Sequence, residues 1–163
     1  LEFRRVLFRA SWKVALNLNA PSAFVLSRQG LDPLAKGEFG EVSNGAYLLS
    51  SSKDAKITFI ASGSEVSLCV KAAEILSQQG IGANIVSAPC FDLFCEQPDE
   101  YVAKILGKNT TIIAVEAATG FEWYKFADAV YGMNSFGASG KANELFDHFG
   151  FTPQKLEIGR AHV

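Results

Sequence analysis

The chain has 163 residues, of which 48% are hydrophobic and 20% charged, and its formal net charge is −2. This balance is typical of a globular protein, and it offers no electrostatic attraction to nucleic acid or to an anionic membrane. No apolar run approaches the roughly 20 residues that a membrane-spanning helix requires.

The two ends of the chain differ in pattern from the middle. Residues 1–9, LEFRRVLFR, mix arginines with apolar residues at no single period, without the small-residue cleavage site of a signal peptide. Residues 158–163, IGRAHV, continue no pattern from the helix predicted before them. We therefore expect both ends to be non-native segments, and the fold is predicted from residues 10–157.

The first predicted elements are a short helix over residues 11–18 and a strand over residues 22–26. The strand contains the continuous apolar run Phe-Val-Leu, the pattern of a strand covered on both faces. Arg28 follows at once, where open α/β sheets place their ligand crevice. Its guanidinium suits a phosphate or a carboxylate, and pairing with a neighbouring acid at a domain edge is the alternative.

A stretch without periodicity separates this part from the next. Residues 32–44 are punctuated by glycine, proline and asparagine, and within them residues 35–44 are predicted to be a linker. The chain then divides into residues 10–34, the end of one domain, and residues 45–157, a second domain.

The second domain has an alternating α/β pattern. Helix-period and strand-period segments follow one another with polar turns between them. Strands are predicted at residues 46–49, 57–60, 84–87, 110–115 and 129–131, and helices at 62–79, 98–106, 121–127 and 141–149. Ser62 and Glu65 have the spacing of a capping box at the start of the first of these helices. Such alternation predicts a mostly parallel sheet covered on both faces.

Few residues of this domain suggest chemistry. The turn over residues 61–64 has backbone amides that could hold an anion, but it lacks the glycines of a dinucleotide fingerprint and the lysine of a P-loop. Glu116 ends a buried strand, and a structural or interface role is favoured because no motif ties it to a second catalytic group. The aromatic residues of segment 121–126 are expected to bury one face in a core or in a subunit interface.

The cysteines indicate the compartment. Cys69, Cys90 and Cys95 are odd in number, lack a CxxC spacing and have no activating base in a recognisable motif. We expect reduced, mostly buried thiols in a cytoplasmic protein. The sequence predicts no metal ligands, since only His148 and His162 are available and no cysteine pair supports them.

Four segments, in matching order and spacing, resemble the carboxyl-terminal part of transketolase. They are PSAFVLSRQG (21–30), GAYLL (45–49) with FIASGSEVSL (59–68), IVSAPCFDLF (85–94), and YGMNSFGASGK (131–141) running into LFDHFGFTP (145–153). The resemblance covers about residues 10–156. It implies that residues 10–34 end a pyrimidine-binding domain and that residues 45–157 form the transketolase C-terminal domain, a three-layer α/β/α fold with a mostly parallel mixed sheet.

The resemblance also implies an activity. Transketolases are homodimers that use thiamine diphosphate and a divalent cation, Mg²⁺ or Ca²⁺, to move a two-carbon ketol unit from a ketose phosphate to an aldose phosphate in the pentose phosphate pathway. In the family, the arginine of the Ser-Arg-Gln motif binds the sugar phosphate, and here that position is Arg28. Trp123 with its aromatic neighbours, and the loop over residues 136–141, are the candidate dimer contacts.

The other site residues of the family are not in this sequence. The Gly-Asp-Gly motif that holds the metal and the diphosphate is absent, and the glutamate that activates the cofactor precedes the matching segment. We therefore expect no catalytic, cofactor-binding or metal-binding residue here, and an inactive fragment. The alternatives are a related thiamine enzyme, such as dihydroxyacetone synthase or deoxyxylulose-phosphate synthase, or a free-standing α/β interaction or regulatory module.

Overall fold

The structure, a computed structural model, describes residues 2–27, 29–31, 33–34 and 37–159. It begins with a single helix, α1 (Glu2–Asn17), which runs without interruption across the predicted boundary at residue 9. The strand predicted over residues 22–26 is wrong, because residues 21–27 have no regular secondary structure. A strand needs a neighbour for its backbone N–H and C=O groups, and none of the five described strands pairs with this segment.

One mixed sheet forms the centre of the second domain. Its strands are β1 (Tyr47–Ser50), β2 (Ala55–Ala61), β3 (Gly82–Ser87), β4 (Thr111–Val115) and β5 (Ala129–Tyr131). Their spatial order is β1-β3-β2-β4-β5, with β1 antiparallel to β3 at one edge and all other pairs parallel. The predicted mostly parallel mixed sheet is therefore confirmed.

Helices cover both faces of this sheet. They are α2 (Glu65–Gln78), α3 (Phe91–Cys95), α4 (Asp99–Leu106), α5 (Ala142–Phe149) and α6 (Pro153–Gly159), with short 3₁₀ helices at Val42–Asn44 and Phe121–Lys125. Neighbouring residues of β2 serve opposite faces, because successive side chains of a strand alternate. Phe59 packs with Leu76 of α2 and Leu156 of α6, whereas Ile60 packs with the aromatic residues of the other face.

The segment over residues 121–127 differs from the predicted helix. It forms a 3₁₀ helix of five residues, and Trp123 is only 2% exposed, so the prediction that Trp123 lies at a dimer contact is wrong. The indole packs edge-on against Phe91, with 5.1 Å between ring centroids. Phe91 belongs to α3, which the sequence did not predict because five residues are too few to show a helical period.

Gly45 fits a position that no other residue can occupy without a shift of the backbone. It ends the first 3₁₀ helix with a φ of 81°, and its carbonyl accepts a hydrogen bond from Cys90 N at 3.0 Å. A Cβ at this position would collide with the backbone of Cys90 and Phe94. The glycine thereby lets the entry to β1 pack directly against the start of α3.

We predict that Gly45→Ala destabilises the chain more than Gly80→Ala does. Gly80 has a similar φ of 76° after α2, but nothing lies within 4 Å of the position that its Cβ would take. Gly80→Ala should cost only the conformational strain of a left-handed alanine, about 1–2 kcal/mol. Gly45→Ala adds a backbone collision, so its urea unfolding midpoint should be the lower of the two. Equal midpoints would contradict the close approach to α3.

Candidate functional site

Polar side chains gather where the two central parallel strands end. β2 is followed by Ser62, Ser64 and Glu65, and β4 is followed by Glu116. Because β2 and β4 are parallel neighbours, their carboxyl ends meet at one edge of the sheet, the usual position of a ligand crevice in α/β folds. These four residues are called the strand-end cluster below.

Two hydroxyl groups bind the two carboxyl groups of this cluster. Ser62 Oγ donates to Glu116 Oε2 at 3.1 Å, which links the end of β2 to the end of β4. Ser64 Oγ donates to Glu65 Oε1 at 2.7 Å. The predicted capping box is therefore wrong. Ser62 reaches a neighbouring strand instead of the helix, and α2 starts at Glu65 without a side-chain cap.

Burial controls the protonation of both carboxyl groups. Glu65 is 5% exposed, and this burial raises its pKa, an effect that the charge of Glu116 increases and the bond from Ser64 opposes. Burial also raises the pKa of Glu116, and the Ser62 hydroxyl and the indole of Trp123 both act to lower it. The strand-end cluster is therefore an environment in which a carboxyl group holds its proton more tightly than in water.

These carboxyl groups bear on two predictions. The turn over residues 61–64 is a poor anion site, because two acidic side chains adjoin the backbone amides that an anion would need. Glu116 forms the structural link that the sequence favoured for it. Glu65 was missed as a member of the site, since its position at the start of an amphipathic helix is common for acidic residues that merely favour the helix dipole.

Arg28, the predicted phosphate ligand, lies outside the described residues. Ser27, the residue before it, lies beside Gly63. Its Oγ is 3.7 Å from the position that a Cβ on Gly63 would take, and Glu65 Oε2 is 4.0 Å from the same position. Gln29 to Leu31 then line a cleft of about 320 Å³ together with residues of α2 and α5. The segment on both sides of Arg28 therefore lies against the start of α2, beside the strand-end cluster.

The other candidate residues form no second reactive group among the described residues. Cys69, Cys90 and Cys95 are free thiols, and burial strongly raises the pKa of Cys69, which leaves it protonated and unreactive. His148 lies in α5 with its ring against Phe149. A cleft of about 580 Å³ between α1 and residues 37–47 is lined mainly by apolar surface.

The residues of the strand-end cluster do not fit a divalent cation with a diphosphate. Across the described part of the chain, no three histidine, cysteine or acidic side chains converge as metal ligands would. The two carboxyl groups of the cluster also favour a proton, and when ionised they repel a diphosphate.

Among the described residues, no helix has the length and apolar character that spanning a membrane requires.

Comparisons with known proteins agree with one another. The family model of the transketolase-like TK C-terminal domain matches residues 45–152. Transketolase 1 of Saccharomyces cerevisiae is 42% identical over 146 residues, which are 89% of this chain and 22% of that protein. Transketolase 1 of Candida albicans is 40% identical over 136 residues, 83% of this chain and 20% of its own length.

Solved structures show the same similarity. The crystal structure of transketolase from Campylobacter jejuni superposes with a TM-score of 0.91 at 49% identity, covering 97% of this chain and 25% of that one. A transketolase from Pichia stipitis in complex with sedoheptulose 7-phosphate gives a TM-score of 0.73 at 39% identity, covering 80% of this chain and 19% of that one. The chain thus spans about a fifth to a quarter of the length of these relatives.

We predict that Glu65→Gln changes how stability depends on pH. A carboxyl group whose pKa is raised by folding stabilises the folded state at low pH, and this contribution is lost as the pH rises through the raised value. The amide of glutamine can still accept from Ser64 but cannot ionise. The variant should therefore have a higher free energy of unfolding than the parent at about pH 8 and a flatter profile down to about pH 4.

Urea unfolding at a series of pH values would measure this effect. Glu144→Gln is the matched control, because the Glu144 side chain is 63% exposed and pairs with Lys141 at the surface. The control should keep the pH slope of the parent chain. A Glu65→Gln variant with that same slope would show that Glu65 ionises as freely in the folded chain as in the unfolded one.

Proposed function

The chain belongs to the transketolase family, and we propose that it is the carboxyl-terminal part of a transketolase that moves a two-carbon ketol unit from a ketose phosphate to an aldose phosphate in the pentose phosphate pathway. The observation that carries this proposal is the match of residues 45–152 to the family's C-terminal domain, together with similarity that extends over most of the chain. Among the described residues of the chain, no three histidine, cysteine or acidic side chains are grouped as metal ligands.

In this proposal the chain contributes to two domains of the enzyme. Residues 10–34 end the pyrimidine-binding domain, and residues 45–157 are the C-terminal domain. Residues 35–44 are the linker between the two domains. The family match from residue 45 and the sheet that starts at Tyr47 support the second boundary. Residues 1–9 and 158–163 are proposed to be non-native.

Arg28 is proposed to bind the phosphate of the sugar. Its guanidinium can make two parallel hydrogen bonds to a phosphate, and it stands in the Ser-Arg-Gln sequence that the family uses for this purpose. Related transketolases from Pichia stipitis have been solved with sedoheptulose 7-phosphate, xylulose 5-phosphate and fructose 6-phosphate. These complexes support a sugar phosphate as the substrate class.

Thiamine diphosphate and the divalent cation are proposed to be bound by the remainder of the full-length enzyme. The strand-end cluster does not fit them, and the Gly-Asp-Gly sequence that holds them in the family does not occur in this chain. The chain alone is therefore proposed to be inactive. A cytoplasmic location is proposed from its three free cysteines, since oxidising compartments favour disulfides.

Homodimer formation is proposed to use exposed aromatic residues of the C-terminal domain. Phe121 is 83% exposed and Phe136 is 98% exposed, whereas Trp123 between them in sequence is buried. Aromatic side chains are enriched in protein interfaces, and burying them there would remove a large apolar area from water.

We predict that Arg28→Ala in a full-length transketolase carrying this segment lowers kcat/KM for phosphorylated donors. Loss of a charge-assisted phosphate contact should cost about 1.5–3 kcal/mol, or roughly one to two decades. Steady-state kinetics with a phosphorylated and an unphosphorylated donor would measure it. Gln29→Ala is the neighbouring control, which should affect both donors alike. Equal losses with the two donors for Arg28→Ala would refute the phosphate role.

We also predict that the 163-residue chain does not bind thiamine diphosphate in the presence of Mg²⁺. Isothermal titration calorimetry would compare it with a full-length transketolase under the same conditions. The full-length enzyme should give a saturable isotherm and the chain only heats of dilution. Saturable binding by the chain would mean that its own residues form a cofactor site.

A further inference from the structure

The exposure of the chain changes between residues 27 and 29, on the two sides of Arg28. Residues 21–27 are exposed, whereas Gln29, Leu31 and Leu34 are half-buried. Other residues must lie against a segment to shield it in this way. The chain that follows Arg28 is therefore supported by neighbouring structure.

Two leucines after Arg28 lie against the C-terminal domain. Leu31 lines the cleft of about 320 Å³ to which α2 and α5 also contribute. Leu34 packs against the apolar cluster that contains Phe59 and Leu76. Because moving these side chains back into water would cost free energy, the two contacts fix the chain directly after Arg28.

The chain that precedes Arg28 lies beside the turn between β2 and α2. Ser27 is exposed, but its Oγ is 3.7 Å from the position that a Cβ on Gly63 would take. The neighbouring Ser62 donates from Oγ to Glu116 Oε2 at 3.1 Å. Glu116 directly follows β4, an inner strand of the sheet. This hydrogen bond therefore holds the turn to the sheet and limits how far the turn can move away from Ser27.

We propose that the C-terminal domain positions Arg28, with Ser62 and Glu116 as positioning residues before it and Leu34 as an anchor after it. The inference rests on the proposed function, because it requires that Arg28 binds the sugar phosphate. The other three residues act through the chain and do not touch the substrate. A guanidinium binds a phosphate through two hydrogen bonds of narrow geometry, so a small displacement of its backbone weakens both. The domain thus contributes to substrate affinity without supplying a reacting group.

Steady-state kinetics in a full-length transketolase carrying this segment would test the proposal. Ser62→Ala should raise KM for a phosphorylated donor by roughly two- to tenfold, the range expected for one hydrogen bond, with kcat nearly unchanged. The KM for an unphosphorylated donor should stay the same, because it has no phosphate for Arg28 to bind.

Ser51→Ala is the matched control. It removes another serine-to-glutamate hydrogen bond, from Ser51 Oγ to Glu38 Oε2 at 2.5 Å. Ser51 directly follows β1, which runs antiparallel to β3, so this bond lies at the opposite end of the sheet. The control should leave the KM of both donors unchanged.

Variants of Glu116 separate positioning from a general loss of stability. Glu116→Gln keeps an oxygen that can accept from Ser62, so it should retain the KM of the parent, whereas Glu116→Ala should match Ser62→Ala. Combining the two alanine substitutions should raise KM no further, because both remove the same hydrogen bond. An unchanged KM in Ser62→Ala, or a rise that is equal for the two donors, overturns the proposal.

A second measurement, on the 163-residue chain, needs no enzymatic activity. The ¹H–¹⁵N nuclear Overhauser effect, which reports backbone motion, should be nearly as high for residues 29–31 as for α2, and Leu34→Ala should lower it. Low values for residues 29–31 in the parent chain, or unchanged values in Leu34→Ala, overturn the positioning role and leave the proposed function standing. High values in a chain whose full-length enzyme has no transketolase activity refute the proposed function and, with it, the role of Arg28.

Discussion

The fold depends on the double burial of strand β2. It pairs with β3 on one side and β4 on the other, so every backbone group along its length can be satisfied inside the sheet. Its side chains then supply both apolar clusters, with Phe59 and Ile60 fully buried on opposite faces. Helices on each face are required to keep these residues from water, which produces three layers.

The two ends of the central strands are stabilised by different chemistry. Towards the amino end, the buried Thr58 hydroxyl lies 2.7 Å from Leu106 O and 2.8 Å from Thr110 Oγ1, while Asn84 accepts from Ser52 N at 3.0 Å. All of these groups are neutral, although the carboxyl group of Asp128 accepts from Ile112 N at 2.8 Å near the start of β4. At the carboxyl end the link between strands is made by Ser62 and the ionisable Glu116. This link lies at the edge where α/β folds place their ligands.

Much of this architecture was predictable from the sequence because its signals are local. The predicted cores of β2, β4 and β5 agree with the structure to within a few residues, since buried parallel strands leave continuous apolar runs. The hydrogen-bond partner of Ser62 was not predictable in the same way. Its spacing to Glu65 fits a helix cap, but Glu116 offers a competing acceptor 54 positions away, and local spacing contains no information about that contact. The burial of Trp123 is a similar case, because its partner Phe91 belongs to another element.

The segment over residues 21–27 shows where local signals need a context. Its apolar run has the pattern of a strand covered on both faces, yet Val25 is 97% exposed and Leu26 is 66% exposed. Phe24 stacks on Trp12 with 4.8 Å between ring centroids. A strand with this pattern requires a flanking strand on each side and an apolar layer on each face. The described sheet has β1 and β5 as its edge strands and does not include this segment. The relatives are about four times longer than this chain, so the proposal that residues 10–34 belong to a second domain accounts for both the pattern and its exposure.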